Sequence, residues 1–348
     1  MRRGTRPRRA RALRCACVAL LSFAAASARA HPLAPSLLEL REGDGSEVAL
    51  VWRTPRVAKR GEALEPVLPA ACRETASAGL EVDDAAITRR ATLQCDGGLL
   101  GATLSARGLD DAAQVLVRVQ LRDGRSVEGV LSRGSPRFEV SARTPRLVRA
   151  ISFVRLGAEH LATGVDHLLF LAGLFALLRG RRALFVAVSA FTLGHGTSLA
   201  AVSALAATHP GVTLDAPRAL STCVEIGIAA SLVLVGREAL ERSRGEPAGA
   251  LTRRPAALPF GFGLLHGLGF AGALGAAGLP ADALPLALAG FHLGLEATQL
   301  VFLAMLAGAT ALLSSTAGAV RLRLASLGAH AIGATGAYLM LDRALGLF

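Results

Sequence analysis

The feature that most constrains this chain is a series of six long apolar runs within residues 148–348. Each run approaches the ~20 residues that a helix needs to cross a bilayer. Lipid offers no hydrogen-bond partner to the backbone, so runs of this length favour helices. The sequence predicts an all-α polytopic membrane domain whose six transmembrane helices cover about 161–178, 183–207, 218–236, 256–279, 285–313 and 324–341.

Residues 31–147 have a different pattern, with short alternating runs such as "EVALVW" and "QVLVRVQL" between turn clusters such as "GDGS". Alternation of this kind predicts strands. The region is therefore expected to be a small all-β domain resembling a sandwich. Its two cysteines, Cys72 and Cys95, are predicted to form a disulfide if the domain is exported. Two free buried thiols are the alternative, because spacing alone cannot show proximity.

Residues 1–30 have the pattern of a secretory signal peptide. An arginine-rich start is followed by the apolar stretch "CACVALLSFAAA" and by Ala28-Arg29-Ala30, which fits the small-x-small cleavage rule. An uncleaved anchor helix is the alternative. The signal peptide would export the β-domain to the extracytoplasmic, periplasmic side.

Arginines between the apolar runs give a second indication of orientation. They cluster after the first, third and fifth runs, whereas the second link has only Arg218 and the fourth has none. Loops rich in Lys and Arg are cytoplasmic. Both indications therefore place the β-domain outside, and the chain is predicted to be a multi-pass protein of the bacterial cytoplasmic (inner) membrane.

The formal net charge of +12 is concentrated at the N-terminus. The first 30 residues hold eight arginines and no acidic residue, and the remainder has 30 basic and 26 acidic side chains, a net charge of +4. No basic patch interleaved with aromatic residues is present, so nucleic acid is not an expected partner. The expected partners are the lipid bilayer and an ion, and the sequence does not set the oligomeric state.

Every apolar run carries at least one ionisable side chain. Such groups are costly in hydrocarbon and usually face a partner or a polar pathway. A single one most often makes an interhelical hydrogen bond, which remains the alternative for His195 and for His330. Because all six runs share the feature, we predict a metal pathway with these ligands: His160, Asp166, His167, His195, Glu225, His266, His292 and Glu296.

Helical spacing groups several of these polar residues. One stripe contains His292, Glu296 and Gln299, and another contains Thr192, His195 and Ser198. The segments "FTLGHGTSLA" and "FGLLHGLGFA" also match at an offset of 71 residues, and the same offset relates Glu225 to Glu296. We therefore predict an internal repeat of 183–240 and 256–313. Chance similarity between helices rich in Gly and Ala is the alternative.

Imidazoles with a few carboxylates suit borderline divalent ions such as nickel, cobalt, zinc or copper. The set includes no Cys or Met, which argues against a dedicated Cu(I) path. Glycines beside the histidines, such as Gly194, Gly196 and Gly267, allow helices to approach closely. The ion is expected to be the cargo, and no permanently bound cofactor is predicted.

The stretch "HLATGVDH" (160–167) resembles the first-helix signature His-Pro-x-x-Gly-x-Asp-His of the HupE/UreJ-type nickel permeases, with Leu161 at the proline position. The resemblance extends over about 155–345, and the exported domain is similar to the longer branch of that family. It implies transition-metal transport, with His160, Asp166 and His167 as the motif residues. Nickel or cobalt as cargo follows only from this resemblance, with zinc as a further candidate.

The leading hypothesis is thus a metal permease, not an enzyme. One alternative is an intramembrane zinc-dependent hydrolase. It lacks the support of a His-Glu-x-x-His motif. The other alternative is an extracytoplasmic binding module on a membrane anchor, for which six runs with ionisable residues are more than an anchor needs.

Overall fold

A computed structural model describes most of the chain. The described residues are 35–55, 64–82, 86–109, 113–141, 146–208, 218–247, 249–276, 284–312 and 318–345. The predicted signal peptide, 1–30, lies outside them. Within this part, a β-sheet region comes first and helices follow, in the order expected from the sequence.

The described part of the N-terminal region forms strands β1 (Ser36–Glu42), β2 (Glu47–Pro55), β3 (Glu65–Val67), β4 (Cys72–Val82), β5 (Ala86–Cys95), β6 (Thr103–Arg107), β7 (Val115–Gln120), β8 (Ser126–Leu131) and β9 (Arg137–Glu139). A six-stranded sheet has the order β4-β5-β2-β1-β7-β8, and a three-stranded sheet has the order β3-β6-β9. All pairs are antiparallel except β1 with β7.

Alternating apolar side chains of the larger sheet form one core with residues of the smaller sheet. Leu38, Leu40 and Leu50 are buried there beside Leu104 of β6. This packing follows from the period of two, which places every second residue on the same face. Neighbouring strands β4 and β5 are also joined by a disulfide between Cys72 and Cys95.

The remainder is helical. The helices are α1 (Arg146–Thr163), α2 (Val165–Leu177), α3 (Arg181–Thr208), α4 (Arg218–Ser243), the single turn α5 (Ala250–Arg253), α6 (Ala257–Ala276), α7 (Leu284–Leu312) and α8 (Gly318–Leu345).

Four of the described helices, α3, α4, α7 and α8, are long and apolar enough to cross a membrane. Large apolar side chains on their outer faces are exposed, including Leu193, Val301 and Met305. Exposed apolar surface of this extent is suited to contact with lipid. The predicted run 256–279 corresponds to α6, within which the described part Ala257–Phe270 is a shorter apolar helix. Six spans therefore stay a prediction.

The first apolar run departs from the sequence expectation of one helix over 161–178. The chain is already helical from Arg146, and it bends by 72° between α1 and α2. Counted together, the two helices would be a fifth candidate span, and a bend of this kind occurs in a broken span or in a re-entrant loop. The break is at Gly164, where ψ of 92° leaves the helical region.

Glycines bring the helix backbones into close contact. A Cβ atom on Gly294 of α7 would collide with the carbonyl oxygen of Val154 in α1, and one on Gly194 of α3 would collide with the carbonyl oxygen of Phe260 in α6. The main helix pairs are α3 with α6, α4 with α8 and α1 with α7. Small residues at such contacts are a general device of membrane helices, since they allow dispersion contacts along the backbones.

We expect Gly294→Val to destabilise the protein by about 1–3 kcal/mol or more, because the added side chain cannot fit without separating α1 from α7. Gly308→Val is the matched control on the same helix, since a Cβ at Gly308 meets no atom within 4 Å. The measurement is thermal unfolding of the purified full chain in detergent. Equal melting temperatures for the two variants would contradict the expectation.

Candidate metal centre

The break at Gly164 brings ionisable side chains of α1 and α2 close together. His160 lies in the last turn of α1, and Asp166 and His167 lie in the first turn of α2. A Cβ on Gly164 would come within 2.8 Å of Nδ1 of His167 and 2.9 Å of the carbonyl oxygen of His160. The residue at the break must therefore be glycine for the two histidines to approach each other as they do.

Three buried imidazoles converge at this point. The rings of His160 and His167 lie 4.9 Å apart, and His195 of α3 lies 5.8 and 5.9 Å from them. One nitrogen from each ring lies within 4.8 Å of the other two. The exposed fractions are 7%, 2% and 0%, and Nε2 of each ring has no hydrogen-bond partner among the described residues. Three buried nitrogens without partners are an arrangement that a metal ion would complete.

Asp166 acts on this triad through His167. Its Oδ1 lies 3.1 Å from Nδ1 of His167 and also accepts the backbone N–H of His167 at 2.9 Å. An ionised carboxylate can only accept, so Nδ1 carries the proton and Nε2 keeps its lone pair. This is the carboxylate–histidine pairing that orients metal-ligating imidazoles. The position at the start of α2 also favours a negative charge.

His195 is oriented in a similar way by His292 of α7. Nδ1 of His292 donates to the carbonyl oxygen of Leu288 at 2.8 Å, so the Nε2 of a neutral His292 is an acceptor. That Nε2 lies 3.3 Å from Nδ1 of His195, which therefore donates and leaves its own Nε2 free to bind. Gly196 leaves room for the ring of His292, because a Cβ atom at Gly196 would lie only 3.0 Å from Nε2 of His292.

His266 of α6 lies beside the triad without joining it. Its ring is 4.8 Å from that of His167, its Nε2 is 3.4 Å from Oγ of Ser231, and its Nδ1 has no described partner. The nitrogens of His266 are outside the set that lies within 4.8 Å. His266 is thus a nitrogen donor next to the centre, and it lies closest to His167.

A shell of phenylalanines surrounds the imidazoles. Phe270 lies 4.5 Å from His160, Phe291 stacks on His195 at 5.9 Å, and Phe191 lies 5.0 Å from His266. All three phenylalanines are almost fully buried. They fix the ring orientations by packing and exclude water from the centre, which strengthens electrostatic interactions there.

The two polar stripes expected from the sequence face each other. Oγ1 of Thr192 lies 2.7 Å from Oε2 of Glu296 and 3.0 Å from Oε1 of Gln299. Ser189 adds a longer contact to Glu296 at 3.4 Å. Gln299 is fully buried, and its Nε2 has no described partner. Together with His292, these side chains extend the polar lining from the triad along α3 and α7.

Glu225 has a different environment. Its Oε2 lies 3.5 Å from Nε of Arg343 in α8, and its carbonyl oxygen accepts from the same guanidinium at 2.7 Å. Glu225 is outside the group of donors at the triad. His330 is exposed, and its Nδ1 donates to the carbonyl oxygen of Ser326 at 2.8 Å. Glu225 and Glu296 occupy matching positions in the sequence, but they bind different partners: Arg343 for Glu225 and Thr192 for Glu296.

Sequence reasoning missed several neighbours of the centre. Arg343 follows the last apolar run and has the appearance of a flanking charge, although it is buried against Glu225. Ser231 and the phenylalanine shell carry no signal that distinguishes them from ordinary residues of apolar helices. A basic residue at the end of an apolar run is the only signal that Arg343 carries in the sequence, and it does not identify Glu225 as the partner.

Comparison with known proteins gives one match. The model of the family described as HupE / UreJ protein matches residues 137–343. This range contains every residue of the candidate centre, and it agrees with the resemblance drawn from the sequence. No curated protein and no solved structure matches the chain.

Proposed function

Because the chain belongs to the HupE/UreJ family, we propose that it is a permease that carries a divalent transition-metal ion, nickel or cobalt, across a membrane. The observation that carries the proposal is the triad His160, His167 and His195. Its three buried Nε2 atoms have no described partner, and a carboxylate or a second histidine orients two of the three rings.

The donor set supports a borderline divalent ion. Imidazole nitrogen suits nickel, cobalt, zinc and copper, whereas magnesium and calcium require oxygen ligands. A tetrahedral centre with metal–nitrogen bonds of about 2.1 Å has its donors about 3.4 Å apart. The donors here lie within 4.8 Å of one another, so binding would draw them together by at most about 1.4 Å.

The broken helix supports transport over permanent binding. Transporters commonly form the site from discontinuous helices, and transport then follows from movement of one helix bundle against another. The junction at Gly164 separates His160 on α1 from Asp166 and His167 on α2. Movement at this junction would open the triad, and His292 and Glu296 would take over the ion along the polar lining, with His266 as an additional donor.

The proposed location is the cytoplasmic membrane of a bacterium, with the β-sheet region on the periplasmic side. The disulfide between Cys72 and Cys95 supports this orientation, since disulfides persist in oxidising compartments. The arginine-rich links after α2 and α4 are then cytoplasmic. The ion and the bilayer are the proposed partners.

An intramembrane zinc hydrolase is the second candidate function. Three histidines, one of them paired with a carboxylate, are also the ligand set of catalytic zinc sites that keep one position open. In that case Asp166 would orient a ligand in a resident centre, and the polar lining toward Glu296 would admit water. The two candidates differ in whether the ion leaves the protein.

The test is the total nickel, cobalt, zinc and copper content of cells, measured by mass spectrometry. Cells with the intact protein are compared with cells with an Asp166→Ala/His167→Ala variant at matched membrane levels. We expect the content of nickel or cobalt to change only with the intact protein. Unchanged contents of all four metals, with one zinc ion retained per purified chain, would support the hydrolase instead.

A further inference from the structure

The β-sheet region packs directly on the helix that carries His160. Leu37, Leu116 and Val130 form a row across β1, β7 and β8, since Leu37 is paired with Leu116 and Leu116 with Val130. This row lies on the opposite face of the sheet from the sandwich core. It belongs to the same apolar cluster as Phe153 and Leu156 of α1. The contact is therefore a shared hydrophobic core, and the sheet is more than a tethered module.

Two hydrogen bonds join one end of this sheet to the last turn of α1. Nε2 of Gln114 donates to Oε2 of Glu159 at 3.0 Å, and Oγ of Ser132 donates to Oε1 at 3.2 Å. Gln114 comes directly before β7 and Ser132 directly after β8, where these strands are paired. Both carboxylate oxygens of Glu159 are thus bound by the β-sheet region.

A second polar contact sets the direction of the helix on the sheet. Arg149 lies 3.6 Å from the buried carboxylate of Glu128 in β8. From Arg149 to Glu159 the helix rises about 15 Å, and from Glu128 to Ser132 the strand extends about 13 Å. The similar lengths mean that α1 follows β8 in the same direction and is fixed to it at two points.

The contact at Glu159 lies one residue before His160, close to the end of α1. The backbone of this turn is hydrogen-bonded, since the N–H of Gly164 donates to the carbonyl oxygen of His160 at 3.0 Å. The turn therefore moves as a unit, and a contact that holds Glu159 also sets the direction of His160. Thr163 donates its hydroxyl to the carbonyl oxygen of Glu159, and the helix ends there at Gly164. His160, the residue after Glu159, depends for its orientation on whatever holds this turn.

We propose that the β-sheet region is a positioning device for the metal centre. Through Gln114 and Ser132 it holds Glu159, and with it the last turn of α1, in the orientation that directs His160 at His167 and His195. Glu159 is then a positioning residue that does not contact the ion. This inference rests on the proposed function, because it assigns the β-sheet region a role in binding the transported ion.

The test uses Co²⁺, added to the purified full chain in detergent and followed by the absorption of bound cobalt. The variants are Gln114→Ala, Glu159→Ala and Glu159→Gln. The matched control is Gln94→Ala, whose side chain donates to Ser46 within the β-sheet region. Thermal unfolding of each variant reports separately on folding.

We expect Gln114→Ala and Glu159→Ala to weaken Co²⁺ binding by about 10-fold or more, the range of losses known for residues that orient ligands. The variant that combines Gln114→Ala with Glu159→Ala should lose no more affinity for Co²⁺ than Glu159→Ala alone. Both changes break the same contact, so their effects should not add. Glu159→Gln keeps one acceptor oxygen and should restore part of the affinity. Gln94→Ala should bind Co²⁺ like the intact protein.

Two results would overturn this inference and leave the proposed function unaffected. One is a Gln114→Ala variant that binds Co²⁺ as tightly as the intact protein. The other is an equal loss of affinity in Gln94→Ala, which would make the effect a general response of the β-sheet region. Failure of the intact protein to bind Co²⁺ would overturn the proposed function, and the inference with it.

Discussion

Replacing His167 with alanine is expected to lower the affinity for Co²⁺ by at least about 100-fold and to abolish metal transport. The change removes one of three buried imidazole donors and leaves the carboxylate of Asp166 without the ring that it orients. Loss of a residue that only orients a ligand already costs about 10–100-fold, so loss of the ligand should cost more. Cobalt absorption of the purified protein and uptake by cells measure the two effects.

His330→Ala is the matched control for this experiment. His330 is a histidine of the same helical region, but it is exposed and its Nδ1 is bonded to the backbone of its own helix. We expect this variant to bind and transport metal normally. Equal losses in His167→Ala and His330→Ala would show that neither acts through the triad.

His160→Ala and His195→Ala are expected to behave like His167→Ala, because three donors that hold one ion act as a unit. Combining two of the three changes should therefore add little to the loss from one. Additive losses would instead indicate separate weak sites along a path, each with its own histidine.

The break between α1 and α2 could not be predicted from the sequence. The apolar character of "HLATGVDHLLFLAGLFALL" continues through Gly164, and glycine is frequent in membrane helices without breaking them. The break results from tertiary packing, because α1 is held by α7 and the β-sheet region. Sequence reasoning identified His160, Asp166 and His167 as a group, and it missed the 72° bend that brings them together.

Helical spacing predicted one stripe of His292, Glu296 and Gln299 and another of Thr192, His195 and Ser198. Thr192 and His195 contact the first stripe. The hydroxyl of Ser198 bonds instead to the backbone of its own helix. The contact between the two stripes joins residues about a hundred positions apart, and periodicity within one helix carries no information about the neighbouring helix. The same limit explains Arg343, whose partner Glu225 is 118 residues away. Polar faces are thus predictable, and the choice of partner between helices is not.

The two halves of the predicted repeat have similar helix pairing but different polar contacts. Exchanging α3 with α6, α4 with α7 and α1 with α8 leaves the main helix pairs unchanged: α3 pairs with α6, and the pair α4–α8 becomes α7–α1. This symmetry of pairing is compatible with a duplicated unit, and the repeat stays a prediction. The partners of the two glutamates differ, since Glu296 contacts Thr192 whereas Glu225 pairs with Arg343.

Replacing His292 with phenylalanine is expected to weaken Co²⁺ binding by about 10–100-fold, although His292 lies outside the triad. Phenylalanine keeps a ring of similar size but cannot accept the proton of Nδ1 in His195. The buried N–H would be left without a partner, and His195 would lose the hydrogen bond that leaves its Nε2 available to the ion. The absorption spectrum of bound cobalt would change along with the affinity.

His292→Gln separates this mechanism from a loss of packing. The amide oxygen of glutamine can accept the proton of His195, so this variant should bind Co²⁺ more tightly than His292→Phe, even though phenylalanine fills the space better. The opposite order would assign His292 a packing role and leave the tautomer of His195 to other contacts. Because the same residue adjoins Glu296 on α7, the expected order would also connect the orientation of the triad with the polar lining through which the ion is proposed to leave.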